Sequence, residues 1–545
     1  MMAAERPDTD VLVAGAGPTG LVLAAVLRAH GVRARVIDQQ PGQAHESRAL
    51  VVHPRTLELL ATLGIADTLV ERGRRALRGL LYAHDRVLAE LQLGDTAATD
   101  TAYPFVVFIS QVETEALLLQ HVAGAGIAVE RGVRLADLAP DPEGVVCTLE
   151  HAGGGAERLR AGYVVGCDGA HSAVRHLTGV PFQGDAYPQQ FLLGDLEIDG
   201  PLTRDALHIY LGARGVLVVF PLRSPRSWRV LCSTGTDRGA GEHGSSPASL
   251  DELQAAVDAF SGQRLRLRDP VWMARFRFHH RQVTSYRAGR AFLAGDAAHI
   301  HSPAGGQGMN TGMQDAWNLA WKLALVVRGL APEALLDSYQ AERWPVGRFL
   351  LRFTDRLFRA GSSRSRLAAV LRTRVVPRLL PPLLAMASSR AGLFRTMSQL
   401  QISYAGSPVV EEGRPPLRAG PRAGDRLPDA RVHLDGEETW LLSMLATRPG
   451  FQLLLCGAGA WNEPDVAAIG ERYGACLRVH RLSSEDGAGR LVDRGGHALA
   501  SLGISTSETG QYLVRPDGHV AFRCAGTDLT PLALYLNRWL RPDRR

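Results

Sequence analysis

The stretch from Val11 to Asp38, VLVAGAGPTGLVLAAVLRAHGVRARVID, constrains the fold more than any other part of this chain. Its apolar run, Val11 to Ala14, has the pattern of a strand buried on both faces. Gly15-Ala16-Gly17-Pro18-Thr19-Gly20 spells GxGxxG where that strand yields to an apolar helix, which Gly31 ends. A second apolar strand, Ala34 to Ile37, stops on Asp38, 18 residues after Gly20. The three glycines act differently. Gly15 permits a tight turn, Gly17 lets backbone approach a pyrophosphate, and Gly20 lets helix and strand pack closely. The helix N-terminus offers unpaired N–H groups and the positive end of its dipole. Asp38 stands where a carboxylate accepts ribose hydroxyls, and an acid there disfavours a 2′-phosphate. With 58 glycines in the chain, GxGxxG alone carries little weight. The complete strand–turn–helix–strand–acid unit predicts a dinucleotide site.

At 545 residues the chain exceeds one ordinary core, and about three domains are expected. The formal charge of +6 is mild for this length, and no basic run is interleaved with aromatics, so a nucleic-acid partner is not expected. Lys322 is the only lysine, which reads as codon bias of a high-GC bacterial genome. The six cysteines show neither a CxxC pair nor metal-like spacing, which suits structural thiols in a reducing compartment. The N-terminus has no apolar signal core, and no run of 18 apolar residues exists, so the sequence predicts a soluble, cytoplasmic protein with no membrane span.

Past Asp38 and Gln39, Arg48 precedes a helix that begins at Pro54 and ends at Gly64. A guanidinium at Arg48 is suited equally to a phosphate or ribose contact and to a solvated surface position. Strands are expected within residues 79–110, and Gln111 starts an apolar helix closed by Gly124 and Gly126. Residues 127–131, 133–138 and 145–149 read as a three-stranded ribbon, with 151–156 its turn. The buried strand Arg160 to Gly166 delivers Cys167-Asp168-Gly169-Ala170-His171-Ser172, with Arg175 beyond. Asp168 is there either a ligand-facing residue past a strand end or part of a plain Asp-Gly turn. Residues 182–281 alternate as an antiparallel sheet with one helix, 250–260, the kind of insert that walls a substrate pocket.

A further buried strand, 290–294, leads into Gly295-Asp296-Ala297-Ala298-His299 and the loop Pro303 to Asn310, which enters a long apolar helix ending near Gly329. This loop has glycines but no lysine, so it suits an oxyanion other than a triphosphate. Helices are expected onward to about residue 400. The arginine- and leucine-rich part, 362–385, has some character of a membrane-surface helix, but its prolines favour packing against the body or a partner subunit. Residues 408–428, rich in Pro, Gly and Arg, mark a linker, and a small α/β unit follows with Pro516-Asp517-Gly518 as its hairpin turn.

Three separated motifs, GAGPTG, CDGAHSAVR and LAGDAAHIHSPAGGQGMNTGMQDAWNLAWKL, together resemble the single-component, group A flavoprotein monooxygenases of the aromatic hydroxylase type. The match covers about residues 8–400, and the tail resembles the thioredoxin-like domain of phenol hydroxylases and aromatic polyketide hydroxylases, here without CxxC. The resemblance implies an α/β fold: a Rossmann-like FAD-binding domain (1–180 and 282–405), an inserted antiparallel-sheet substrate domain (181–281), a linker (406–428) and a thioredoxin-like domain (429–545). It implies bound FAD, held by Gly15, Gly17, Pro18, Thr19, Gly20, Asp38, Gln39, Arg48, Gln111, Asp168, Gly295 and Asp296, and by Pro303, Gly306, Gly308, Met309 and Asn310 at the flavin. NADPH or NADH is expected only transiently, because no second nucleotide fold is present.

The activity so implied is NAD(P)H- and O2-dependent hydroxylation of a phenol, of the polycyclic aromatic polyketide kind, through a flavin C4a-hydroperoxide. Baeyer–Villiger insertion, antibiotic inactivation and simple phenol hydroxylation are alternatives on the same scaffold, and a non-catalytic flavin-bound sequestration protein is a remote one. A halogenase is disfavoured, since no Trp-x-Trp-x-Ile-Pro stretch occurs. The loop at Pro303, Gly305 and Gly306 is expected beside the flavin, and a helix N-terminus near Gly308 to stabilise its negative charge. His53, Arg55, Tyr82 and Tyr103 are candidates for a phenol-deprotonating base, none of them singled out. The pairs His279-His280 and His299/His301 lack companion ligands, so no metal is expected. A monomer or homodimer fits equally.

Overall fold

The computed structural model describes residues 7–43, 49–83, 86–94, 98–212, 215–223, 228–233, 248–262, 264–303, 305–362, 370–371, 375–376, 378–379, 387–447, 449–485, 487, 489–505 and 507–543. Thr9–Ala14 (β1) is central to a largely parallel sheet, with Val11, Leu12 and Val13 fully buried. Ala34–Asp38 (β2) flanks it on one side and Ala156–Gly166 on the other, with Val11 opposite Ala34 and Tyr163 respectively. Ala291–Leu293 extends the sheet beyond Ala156–Gly166, and Val129–Arg131 extends it beyond β2. Helix α1 (Pro18–Ala29) links β1 to β2, and its apolar residues are buried nearly all round, as a helix packed between sheet and helix requires. Then come α2 (Pro54–Ala61), a short α3 (Ala66–Arg72) that the sequence pattern did not suggest, α4 (Gln111–Gly124) and α5 (Ala173–Leu177).

The expected ribbon differs in membership. Val129–Arg131 leaves it to pair in parallel with β2, and Ala156–Gly166 takes its place beside Val133–Asp141 and Gly144–His151. Gly132, at φ +68, turns the chain between Val129–Arg131 and Val133–Asp141, two strands of this one sheet.

The second sheet rests on two 18-residue strands, Phe182–Asp199 and Arg266–Val283, paired antiparallel along almost their full length. Trp228–Ser233, Gly215–Pro221 and Ala206–Gly212 continue it. Arg78–Ala83 then joins in parallel with Ala206–Gly212, followed by Arg86–Gln92, while His299–Ile300 closes the other edge. This sheet therefore extends beyond residues 181–281, the span expected for the inserted domain, because non-contiguous strands complete its edges. Helix α6 (Leu250–Ser261) covers one face with Leu253, Val257 and Phe260 against Leu192, Leu217, Val219 and Val230. Elsewhere the sheet meets the first domain: Phe220 packs edge-on to Phe108 at 5.7 Å, and Arg229 Nη1 donates to the Ala49 carbonyl at 3.4 Å.

Helix α7 (Gly308–Val327) is buried over most of its length and lies along α1; α8 (Asp337–Ser362) follows, with Pro345 inside it. Most of 363–386, where a surface helix was weighed against packing on the body, lies outside the described residues. No helix among the described residues is long and apolar enough to cross a membrane. Residues 406–428 are more than a spacer. Glu411–Glu412 adds a parallel strand to Val520–Ala525, and Arg426 is buried against Glu58 and Asp100 of the first domain. The C-terminal unit is an eight-stranded sheet with Phe451–Cys456 and Gly510–Val514 near its centre. One continuous apolar core joins Trp321, Leu325 and Leu335 to Phe451, Leu453, Phe522 and Tyr535, so the unit is fused to the body rather than tethered to it.

Candidate functional site

The three glycines of the first turn occupy different surroundings. Gly15 sits at φ +102, and a methyl there would stand 2.4 Å from the Cys167 carbonyl oxygen. A methyl on Gly20 would stand 2.0 Å from the Gly15 carbonyl oxygen. At Gly17 a methyl would meet nothing within 4 Å. Two glycines are thus required by the protein's own packing, and the third opens onto a space the protein leaves empty. No side chain caps α1, whose first residue is Pro18, so the N–H groups of Thr19 and Gly20 face that space without an intrahelical partner.

Asp38, at the end of β2, ties the turn together. Its Oδ2 accepts from the Ala16 N–H at 2.8 Å, its Oδ1 from the Gln40 N–H at 2.8 Å, and Arg131 lies 3.3 Å away. Gln39 is exposed beside it, and Arg48 lies outside the described residues. Gln111, at the start of α4, accepts from the Ala49 N–H at 3.2 Å and donates to buried Glu115 at 2.8 Å. Asp168 is committed to structure through one oxygen: its Oδ2 accepts the Ala173 and Val174 N–H groups at 2.6 and 3.3 Å, capping α5. Burial raises its pKa. Arg175 of the same motif donates to the carbonyls of Ala170 and Ala297, and so fastens this turn to the GDAAH segment.

That segment meets the first turn directly. Thr19 Oγ1 lies 2.6 and 2.5 Å from where methyls on Gly295 and Gly312 would be, so the N-terminal ends of α1 and α7 converge on one cleft. Within the buried run Ala291 to His299, Asp296 alone is exposed. Pro303, Gly305, Gly306, Gly308 and Met309 are likewise partly open among buried neighbours. The Gly306 N–H is spent on the Pro303 carbonyl at 2.9 Å. Gly308, Met309 and Asn310 begin α7, which no side chain caps, and their N–H groups therefore have no partner in the helix.

Besides its backbone N–H, Asn310 contributes a side chain that braces the loop. Oδ1 accepts the His53 N–H at 2.9 Å, and Nδ2 donates to the carbonyls of Val51 and Gly306 at 2.7 and 3.0 Å. His53 Nε2 donates in turn to the Gly305 carbonyl at 3.0 Å. His301 Nδ1 faces the Ser302 carbonyl at 2.7 Å, which leaves buried Nε2 as an acceptor with no partner among the described residues; that atom is 3.3 Å from a methyl position on Gly308. Burial brings both imidazoles down to about 4, so both are neutral at pH 7.

Of the four candidate bases, Arg55 pairs with Glu58 and His519, while Tyr82 stacks on Tyr210 at 4.5 Å and hydrogen-bonds His208. Tyr103 packs on Phe105, and His53 is held beneath the loop. Of these, His53 alone keeps a buried ring nitrogen, Nδ1, with no partner among the described residues. Among the described residues, no three of His, Cys, Asp and Glu gather as metal ligands. Sequence reasoning missed Asp315, which accepts from Gly295 N–H at 3.1 Å and His299 Nε2 at 2.7 Å, and from Arg343 at 2.6 Å. The only trace of it was an acidic residue on the buried face of α7.

Two uncapped helix N-termini, an open glycine cradle and one exposed acid in a buried run are the features of a dinucleotide-binding protein. These features fit FAD. Residues 8–354 match the model of an FAD binding domain, and residues 420–542 that of the aromatic-ring hydroxylase C-terminal domain. The chain belongs to the FAD-dependent aromatic-ring hydroxylases and is a flavin-dependent monooxygenase. It is 37% identical to a 6-methylpretetramide 4-monooxygenase of Streptomyces rimosus, over 98% of this chain and 94% of that one. It is 41% identical to a rifampicin monooxygenase of Streptomyces venezuelae, over 62% of this chain and 68% of that one. A solved aklavinone-11 hydroxylase, in ternary complex with FAD and aklavinone, superposes with a TM-score of 0.77 at 26% identity, over 98% of this chain and 99% of that one.

Proposed function

We propose that this chain uses NADPH or NADH and O2 to hydroxylate a phenolic ring of a polycyclic aromatic polyketide. The observation that carries this reading is the uncapped N-terminus of α7 at Gly308, partly exposed where the glycine loop from Pro303 enters the helix. The polycyclic names of the 6-methylpretetramide and aklavinone enzymes support the substrate class. Bound FAD supplies the redox chemistry that activates O2 for transfer of one oxygen atom to the ring.

The protein's residues do the rest. The Thr19 and Gly20 amides at the head of α1 hold phosphate oxygens. The Gly308 and Met309 amides, with the α7 dipole, stabilise negative charge that develops beside them. Asn310 and His53 fix the loop at Gly305 and Gly306, whose lack of charged side chains keeps water from the reacting centre. His301, neutral, offers its Nε2 as a hydrogen-bond acceptor at the same helix end.

The test is consumption of NADPH and O2 by the purified FAD-loaded protein across a panel of phenols and aromatic polyketides. A substrate-stimulated rate with a product heavier by one oxygen atom is expected. Yellow protein with no stimulated oxidation across the panel refutes the proposal. A second reading, oxidative inactivation of an aromatic antibiotic, is favoured by the identity to rifampicin monooxygenase. It predicts that expression raises a sensitive host's tolerance of such a compound.

A further inference from the structure

The C-terminal unit has no paired cysteines with which to do redox chemistry, yet its Arg515–Pro516–Asp517–Gly518–His519 hairpin is inserted into the first domain. Arg515 Nη1 and Nη2 donate to both oxygens of Glu342 at 2.7 and 2.8 Å, and its Nε donates to Asp517 at 3.0 Å. Glu342 also receives Lys322 at 2.7 Å, Asn318 at 2.6 Å and Ser407 at 2.6 Å. The next residue of α8, Arg343, points the other way along the same network. It donates to Asp315 at 2.6 Å, to the Thr311 carbonyl at 3.1 Å and to the Tyr404 hydroxyl at 3.0 Å. Tyr404 in turn lies under the Arg515 guanidinium at 5.0 Å and against the His519 ring at 4.3 Å. Asp315, Glu342 and Asp517 are balanced by Lys322, Arg343 and Arg515, and all six are buried.

The far end of this network is the cofactor cleft. Asp315 holds the Gly295 N–H, one residue before exposed Asp296, and holds His299, which opens the loop running to Asn310. Arg343 holds the Thr311 carbonyl in the first turn of α7. We propose that the Arg515–His519 hairpin is a positioning element of the flavin site, with Arg515 setting α8 through Glu342, and Arg343 and Asp315 transmitting that placement to Gly295, His299 and the head of α7. A mere staple between domains needs no polar connection, since apolar contact already fuses them, with Phe451 edge-on to Trp321 at 5.6 Å. Two members, Asp315 and Arg343, instead reach backbone groups at the cleft, and Arg515 is coupled to them through Glu342, the neighbour of Arg343 on α8, and through Tyr404, which both guanidiniums contact.

The inference rests on FAD occupying that cleft, and its test reads FAD binding rather than turnover, so failure of the hydroxylase proposal and failure of this one are distinguishable. FAD affinity is measured by quenching of FAD fluorescence, and the flavin absorption band recorded, for the full chain and for Arg515→Met, Arg515→Lys, Asp315→Asn and the Arg515→Met/Asp315→Asn double variant. Arg515→Met is expected to weaken FAD binding at least about 10-fold and alter the flavin band, with partial rescue in Arg515→Lys. The double variant is expected to bind no more weakly than Asp315→Asn alone, because both act along one path. Wild-type affinity and band in Arg515→Met, or effects of the two substitutions that multiply independently, overturn the proposal. Should Arg515→Met not fold, Tyr404→Phe removes only the hydroxyl that receives Arg343. A several-fold loss of FAD affinity with an unchanged apoprotein melting temperature supports the proposal, and an unchanged affinity overturns it.

Discussion

Gly17→Ala should separate cofactor binding from folding. Gly17 has φ −77 and ψ −177, a conformation alanine adopts freely, and a methyl there meets nothing within 4 Å. The apoprotein should therefore melt no lower than wild type, and restriction of the unfolded chain favours the variant by about 0.4–1 kcal/mol. In the holoprotein the same methyl stands between the pyrophosphate and the uncapped amides of Thr19 and Gly20. Hydrogen bonds to a charged group contribute about 1.5–3 kcal/mol each, so losing two costs about 3–6 kcal/mol. At 1.4 kcal/mol per tenfold, FAD affinity should fall by at least about 100-fold. Gly20→Ala behaves oppositely: its methyl, 2.0 Å from the Gly15 carbonyl oxygen, should lower the melting temperature of the apoprotein itself. The two measurements are fluorescence titration of FAD with apoprotein and thermal melting without FAD. Tight FAD binding by Gly17→Ala, or an apoprotein melt lowered as far as in Gly20→Ala, would show that the pyrophosphate does not lie against this turn.

Asn310→Ala should leave the His53 N–H and Val51 carbonyl unsatisfied, at about 1–3 kcal/mol each, and loosen the loop over the reacting centre. Peroxide released per NADPH consumed should then rise, and an unchanged ratio would detach this brace from water exclusion. Burial raises Asp429 from 3.8 to about 7, so the stability it contributes is full below pH 4 and is lost as pH rises to about 7. Asp429→Asn keeps the acceptor for the Ala430 and Leu442 N–H groups and should gain up to about 4 kcal/mol over wild type at pH 8 but nothing at pH 4, measured by denaturant unfolding. Lys322→Arg places a third guanidinium among Arg343 and Arg515 and should destabilise by about 1–3 kcal/mol through overpacking, whereas Arg134→Lys, at an exposed pair, should fall within about 0.5 kcal/mol of wild type.

What could be read in advance was whatever local stereochemistry decides. GAGPTG forms its turn and helix because Gly15 must take a positive φ and Pro18 suits a first helical turn, and neither depends on distant chain. The helix from Gly308 and the Pro516-Asp517-Gly518 turn were legible for the same reason. Pairings between distant strands were not. Nothing within Arg78–Gln92 says that it completes a sheet built from residues 182–283, and nothing within Glu411–Glu412 says that it pairs with Phe522 and Arg523. At the site, motif and role came apart wherever a side chain had two possible partners: Asp168 occupies its expected place yet spends an oxygen on capping α5.

The buried network carries one sequence trace, the lone lysine, whose structural setting codon bias alone does not describe. Codon drift toward arginine is nearly free at exposed positions, where ion pairs contribute about 0–1 kcal/mol. It is resisted where shape matters, because an ammonium is compact and turns its donors freely while a guanidinium is a broad planar fork. Lys322 must reach Glu342 and Asn318 inside a space already holding two guanidiniums, and it is the one lysine among 61 basic residues. In a chain so poor in lysine, the one that remains sits where Arg515 of the C-terminal hairpin and α7 share Glu342, a place with no room for a third guanidinium without overpacking.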